Sequence, residues 1–186
     1  RVTSSASCLD VYNWSTAAGG NIAQYSYWGG ACQLWILEKA SDTKGTDISL
    51  SANDLTYGNY TNAITSGSFT IGASSGKNVA VLNRNTTVNG TSYSKVLQMN
   101  GGNSTGRYIK FTATGACTVK VTAASTSTSA SRTLRLASGS VGGNTVGNAT
   151  ITGTPSTVTY KIPSAGTYYL YSTRSGIYVY QVNVAY

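Results

Sequence analysis

The side chains able to do chemistry are few, and their placement is lopsided. There are three cysteines (Cys8, Cys32, Cys117), five carboxylates and no histidine. All five carboxylates (Asp10, Glu38, Asp42, Asp47, Asp54) fall in the first 54 residues, beside Arg1, Lys39 and Lys44. From Leu55 to Tyr186 there is no Asp or Glu, yet ten basic residues: Lys77, Arg84, Lys95, Arg107, Lys110, Lys120, Arg132, Arg135, Lys161 and Arg174. The two segments carry −2 and +10, which sum to the net +8. Paired-carboxylate acid–base chemistry is excluded from the long segment, because it has no carboxylate to pair. Ser-His-Asp and Cys-His arrangements need a histidine, and so do most structural zinc sites the three cysteines could join. Eliminative cleavage by a basic side chain needs acid-held cations or equivalent groups, which this segment cannot supply. The sequence reads as non-catalytic and implies no cofactor, although calcium on backbone carbonyls with Asp47 or Asp54 stays open. What remains is attraction: a one-signed surface draws polyanions.

The elements carrying these cations read as strands. Runs of alternating apolar and polar residues recur at 68–72, 79–83, 94–99, 107–113, 117–123, 132–137, 157–162, 167–172 and 177–184, separated by Gly, Asn and Ser clusters. With no helical period, they predict an all-β jelly-roll β-sandwich over 48–186. In 107–113, Ile109, Phe111 and Ala113 point inward and Tyr108, Lys110 and Thr112 outward. In 117–123, Cys117, Val119 and Val121 point inward and Lys120 outward. Thr114-Gly115-Ala116 suits a hairpin loop with a left-handed glycine, which would set Lys110 opposite Lys120. Arg135 extends that face, with Lys95 and Arg107 at its entrance. Tyr168, Tyr169, Tyr171, Tyr178 and Tyr180 divide between core and surface.

Residues 1–38 have another character: Cys8-Leu9-Asp10-Val11, a turn at Gly19-Gly20, a strand near Ile22, then Gln33-Leu34-Trp35. Over 7–37 this resembles one repeat of the ricin-type β-trefoil, the fold of carbohydrate-binding module family 13. The resemblance implies that Asp10 and Gln33 fix the repeat and that Asp10, Tyr25 or Tyr27, and Gln33 contact sugar. Tyr27 stands where that family often has its second cysteine, and Cys32 where it often has Asn. One repeat cannot close a trefoil, so the fragment reads as inert alone, a trimer of single repeats being the other arrangement. Residues 39–47 read as a linker.

The segment Lys95 to Phe111 (KVLQMNGGNSTGRYIKF), with CTVKVTAAS, SRTLRL, AGTYYLYS and GIYVYQVNV, resembles the β-sandwich modules attached to bacterial pectate lyases, carbohydrate-binding module family 77 above all. That resemblance implies binding of homogalacturonan of low methyl esterification, with basic side chains meeting the uronate carboxylates. Strand facing nominates Lys95, Lys110 and Lys161 first, then Arg107, Lys120 and Arg135. The implied protein is a secreted bacterial monomer, a module of a multimodular or cellulosomal pectin-degrading enzyme, with no specific nucleic-acid or membrane partner. A neutral-glycan module using exposed tyrosines and a structural or adhesin-type sandwich are alternatives; a nucleic-acid binder is allowed by charge alone, without an RNP-type, helix-turn-helix or zinc motif to support it.

Overall fold

Alternation at period two is realised along almost every predicted run. The computed structural model describes residues 6–17, 19–35, 45–100 and 106–186. The chain divides into two compact units, Arg1–Asp42 and Thr43–Tyr186. In the first, β1 (Ser7–Val11) and β2 (Ile22–Ser26) form a two-stranded antiparallel ribbon. Cys8 is its sole buried apolar side chain among the described residues, while Leu9, Trp14, Tyr25, Trp28 and Trp35 are exposed. Such a ribbon has too little core to be stable by burial alone.

The second unit is an all-β sandwich with jelly-roll character. Its strands are β3 (Ile48–Ser51), β4 (Gly58–Tyr60), β5 (Ile64–Ser66), β6 (Phe69–Gly72), β7 (Val79–Val88), β8 (Thr91–Met99), β9 (Tyr108–Ala113), β10 (Cys117–Ser125), β11 (Arg132–Ser138), β12 (Asn144–Ile151), β13 (Ser156–Ile162), β14 (Gly166–Ser172) and β15 (Ile177–Ala185). One sheet has six strands in the order β12-β11-β14-β9-β6-β5. The other has seven, β13-β10-β15-β8-β7-β4, with β3 also paired to β15. Inward rows meet in one core: Phe69, Ile71, Ile109, Phe111, Leu134, Leu136 and Leu170 from the first sheet, Val81, Leu97, Val119, Val121 and Val182 from the second. The β7–β8 hairpin turns at Asn89-Gly90, both at positive φ, the backbone a type I′ turn requires.

The expected hairpin is corrected. β9 and β10 are not a hairpin. They lie in different sheets, β9 between β14 and β6, β10 between β13 and β15. Gly115 does not take the positive φ that the loop required. The chain instead crosses the core there, so Lys110 and Lys120 do not face each other. The proposed linker 39–47 falls outside the described residues at 39–44, and its end belongs to the sandwich. Asp47 Oδ1 accepts a hydrogen bond of 3.0 Å from the Tyr186 N–H, and Gly45 sits so close to Thr114 and Tyr186 that no Cβ would fit.

Tyr160 of β13 ties the sheets together. Its ring lies against Gly147, and its buried hydroxyl donates to the Leu134 carbonyl of β11 at 2.9 Å. Burial raises its pKa, so it stays neutral in the fold. Since its folded pKa exceeds the unfolded value, its contribution is whole below about pH 10 and is lost as pH rises past that point. Tyr160→Phe is expected to cost about 1 kcal/mol at neutral pH, and to show a smaller further loss than the parent at about pH 11. Urea denaturation at both pH values checks this.

Candidate functional site

The outer face of the six-stranded sheet combines aromatic and cationic side chains without a carboxylate, because its strands all lie beyond Leu55. Alternation turns Tyr108 and Lys110 of β9 outward, with Tyr169 and Tyr171 of β14 and Arg135 of β11. Register sets Lys110 between Thr70 and Tyr169, and Arg135 between Tyr171 and Asn148. Tyr108 and Tyr169 meet edge to face, with ring centroids 5.3 Å apart. The Tyr108 ring rests on Gly72, where a Cβ would come within 2.5 Å of it, so the glycine fixes the ring low on the sheet. Tyr171 is buried and its hydroxyl accepts a 3.1 Å bond from the Gly142 N–H. Arg135 Nε donates to Asn148 Oδ1 at 2.9 Å, which orients the guanidinium. Lys110 and Arg135 are two strands and two residues apart, a separation of about 12 Å. Two half-buried cations thus bracket two half-exposed tyrosine rings.

The other nominated residues go elsewhere. Lys120 and Lys161 project from the opposite sheet, Lys120 beside Thr159 and Asn183, Lys161 beside Thr118. Both are exposed. Lys95 is structural: its Nζ donates to the carbonyls of Leu55 at 2.7 Å and Asn53 at 3.2 Å, pinning the turn after β3. Arg107 holds the carbonyls of Asn78 at 2.9 Å and Gly76 at 3.3 Å. The six nominated side chains therefore occupy two outer faces and two loop tethers. Tyr168 and Tyr180 are core, Tyr169 and Tyr178 half-exposed. Cys117 is a buried thiol whose pKa burial raises. Asn148 lies on β12, whose NTVGNATI shows no clear strand pattern, so the sequence does not point to it.

In the N-terminal unit, Gln33 is the organising residue. Its amide nitrogen donates to Asp10 Oδ2 at 2.8 Å and the Ser26 carbonyl at 2.9 Å, while its oxygen accepts from the N–H groups of Trp28 and Gly29. Asp10 and Tyr25 line a cavity of about 410 Å³ with Tyr12, Asn13, Trp14 and Trp28; Tyr27 does not. Desolvation, then the neighbouring Asp10 carboxylate, raises the Cys32 thiol pKa. Among the described residues no three His, Cys, Asp or Glu groups converge on a metal position, and no helix is long and apolar enough to cross a membrane.

No protein-family profile and no curated protein matches the chain. Among solved structures it is similar to the tandem of two CBM22 domains from Paenibacillus barcinonensis Xyn10C, with 13% identity and TM-score 0.50 over 80% of this chain and 46% of that one. The sandwich shares its fold with carbohydrate-binding modules. Two further likenesses are a structure from work on glycan recognition in the Ruminococcus flavefaciens cellulosome (15% identity, TM-score 0.49, 76% of this chain and 95% of that one) and the K1 cleaved adhesin domain of Lys-gingipain from Porphyromonas gingivalis W83 (17%, 0.48, 75% and 98%). At these identities the likeness is one of fold.

All three tryptophans, Trp14, Trp28 and Trp35, belong to the N-terminal unit, so a tryptophan signal reports on that unit alone. Gln33→Ala leaves the Asp10 carboxylate and two N–H groups without their partner. It is expected to erase the near-ultraviolet dichroism of the Trp14–Trp28 pair, whose ring centroids lie 5.6 Å apart, while the far-ultraviolet melt of the sandwich is unchanged.

Proposed function

We propose that the sandwich is a non-catalytic carbohydrate-binding module for acidic polysaccharide, homogalacturonan of low methyl esterification, and that it binds through the outer face of the six-stranded sheet. The observation that carries this reading is the pairing of Lys110 and Arg135 around Tyr108 and Tyr169 on a face without acid. Pyranose rings present apolar C–H faces to the tyrosines. Uronate carboxylates meet the lysine ammonium as a point charge and the arginine as a planar fork. A single exposed pair is worth only up to about 1 kcal/mol, so affinity comes from repetition along a polymer that offers a carboxylate on every unit. Lys120 and Lys161, on the other face, add to the long-range field that concentrates polyanion near the module. The N-terminal unit is read as a ricin-type repeat, and the whole as an extracellular targeting piece of a pectin-degrading enzyme.

The tyrosine pair favours one second reading, a neutral glycan bound by stacking alone. Salt separates the two, because ionic contacts at an exposed face are screened and stacking is not. Isothermal titration of the chain with de-esterified homogalacturonan, and with highly methylated pectin, each at low and high salt, is the test. The acidic reading expects binding that disappears on methylation and weakens with salt. Equal, salt-insensitive binding to both would replace it with the neutral reading, and binding to neither would overturn the acidic reading and leave neutral glycans to be titrated against the tyrosine pair.

A further inference from the structure

A second recessed surface lies on the other sheet. One edge of β15 is shared end to end: β8 takes Ile177–Val179 and β3 takes Gln181–Val184. The tip of the β7–β8 hairpin therefore cannot continue in the sheet beside β15. It lifts over the outer face, where Tyr93, Val88 and Val96 pack on Tyr180 and Ala124 in a small core of their own. Tyr93 and Tyr180 lie 5.4 Å apart, and the Tyr93 hydroxyl donates to Gln181 Oε1 at 2.7 Å. A bulge between Asn83 and Thr86 bends β7 at the same level. The result is an open groove of about 470 Å³ lined by Asn53, Asn85, Thr86, Ser92, Tyr93 and Ser94.

The groove is built rather than incidental. Asn53 Oδ1 accepts from the N–H groups of Ser94 at 2.9 Å and Lys95 at 3.1 Å, and its Nδ2 donates to the Ser92 carbonyl at 3.4 Å, so the turn Ala52–Asp54 acts as the missing strand neighbour of β8. The Asn85 amide and the hydroxyls of Thr86, Thr87 and Ser92 give it groups that both donate and accept, beside a Tyr93 ring that is only 4% exposed. The two basic side chains nearest in sequence are drawn off it. Arg84 Nε donates to the Tyr180 hydroxyl at 3.1 Å with its guanidinium over Tyr178, and Lys95 Nζ is spent on backbone carbonyls. With no carboxylate in the lining there is nothing to hold a cation, and with no free cation there is nothing to select an anion.

We infer that this groove is a second carbohydrate site, and that it takes a neutral saccharide. Its volume suits a short oligosaccharide. It differs in ligand charge and in sheet from the face proposed for acidic polymer, and stands without it. The test is a titration of the isotope-labelled 186-residue chain with xylohexaose and with cellohexaose to millimolar concentration, followed by amide chemical shifts. Shifts confined to Asn53, Asn85, Thr86 and Ser92–Ser94, unchanged by salt, are expected with at least one probe. The double variant Asn85→Ala/Thr86→Ala, whose spectrum elsewhere should match the parent, is expected to weaken them about tenfold. Lys110→Ala/Arg135→Ala should leave them intact. No shift at these residues with either sugar, or shifts only around Tyr108 and Tyr169, overturns the inference.

Discussion

The apolar layer between the two sheets decides what every other side chain can do. Strand alternation commits one row of each strand to that layer, and Phe111, Val119, Leu136, Leu170 and Val182 are fully or almost fully buried in it. Emptying one such position costs about 2–5 kcal/mol, a large share of a domain's stability. The inner rows are thereby closed to function. Recognition is confined to the outer rows and to the loops where strands change sheet, and it is there that the composition turns one-sided.

The strands and their facing were legible in the sequence, and the partnership of strands was not. All nine alternating runs are strands, and Ile109, Phe111, Val119 and Val121 point inward as their spacing requires. Alternation is the same whether neighbouring runs pair as a hairpin or cross between sheets, so the link at Gly115 was indistinguishable from a hairpin loop. That ambiguity moved Lys120 to the opposite face. The strand β12 was missed because Gly147 and a run of Asn and Thr interrupt its pattern, the glycine being needed where the Tyr160 ring packs. Of the site itself, the outward facing of Tyr108, Lys110 and Arg135 was readable, but not their assembly around Tyr169. Lys95 and Arg107 could not be recognised as tethers, since the carbonyls they hold lie more than 25 residues away.

Dividing the cations between faces has a physical consequence. Lys110 and Lys120 project away from each other on opposite outer faces, farther apart than the sheet spacing of about 10 Å and so beyond the Debye length at physiological salt, which leaves their repulsion through solvent weak. A single face holding all of them would be strained without its ligand. Dispersal preserves the net positive field while leaving two cations beside the Tyr108–Tyr169 pair. The β7–β8 hairpin shows the same economy with neutral chemistry, because Arg84 and Lys95 spend their charges on Tyr180 and on backbone carbonyls.

On the proposed reading, the tyrosine-bearing face and not the opposite one contacts the acidic polymer. Affinity for de-esterified homogalacturonan in two double variants of equal net charge tests it most directly, Lys110→Ala/Arg135→Ala against Lys120→Ala/Lys161→Ala. The first pair is expected to lose binding, and the second only the modest part due to the general field. Equal losses in the two, or the larger loss in the second, would contradict it.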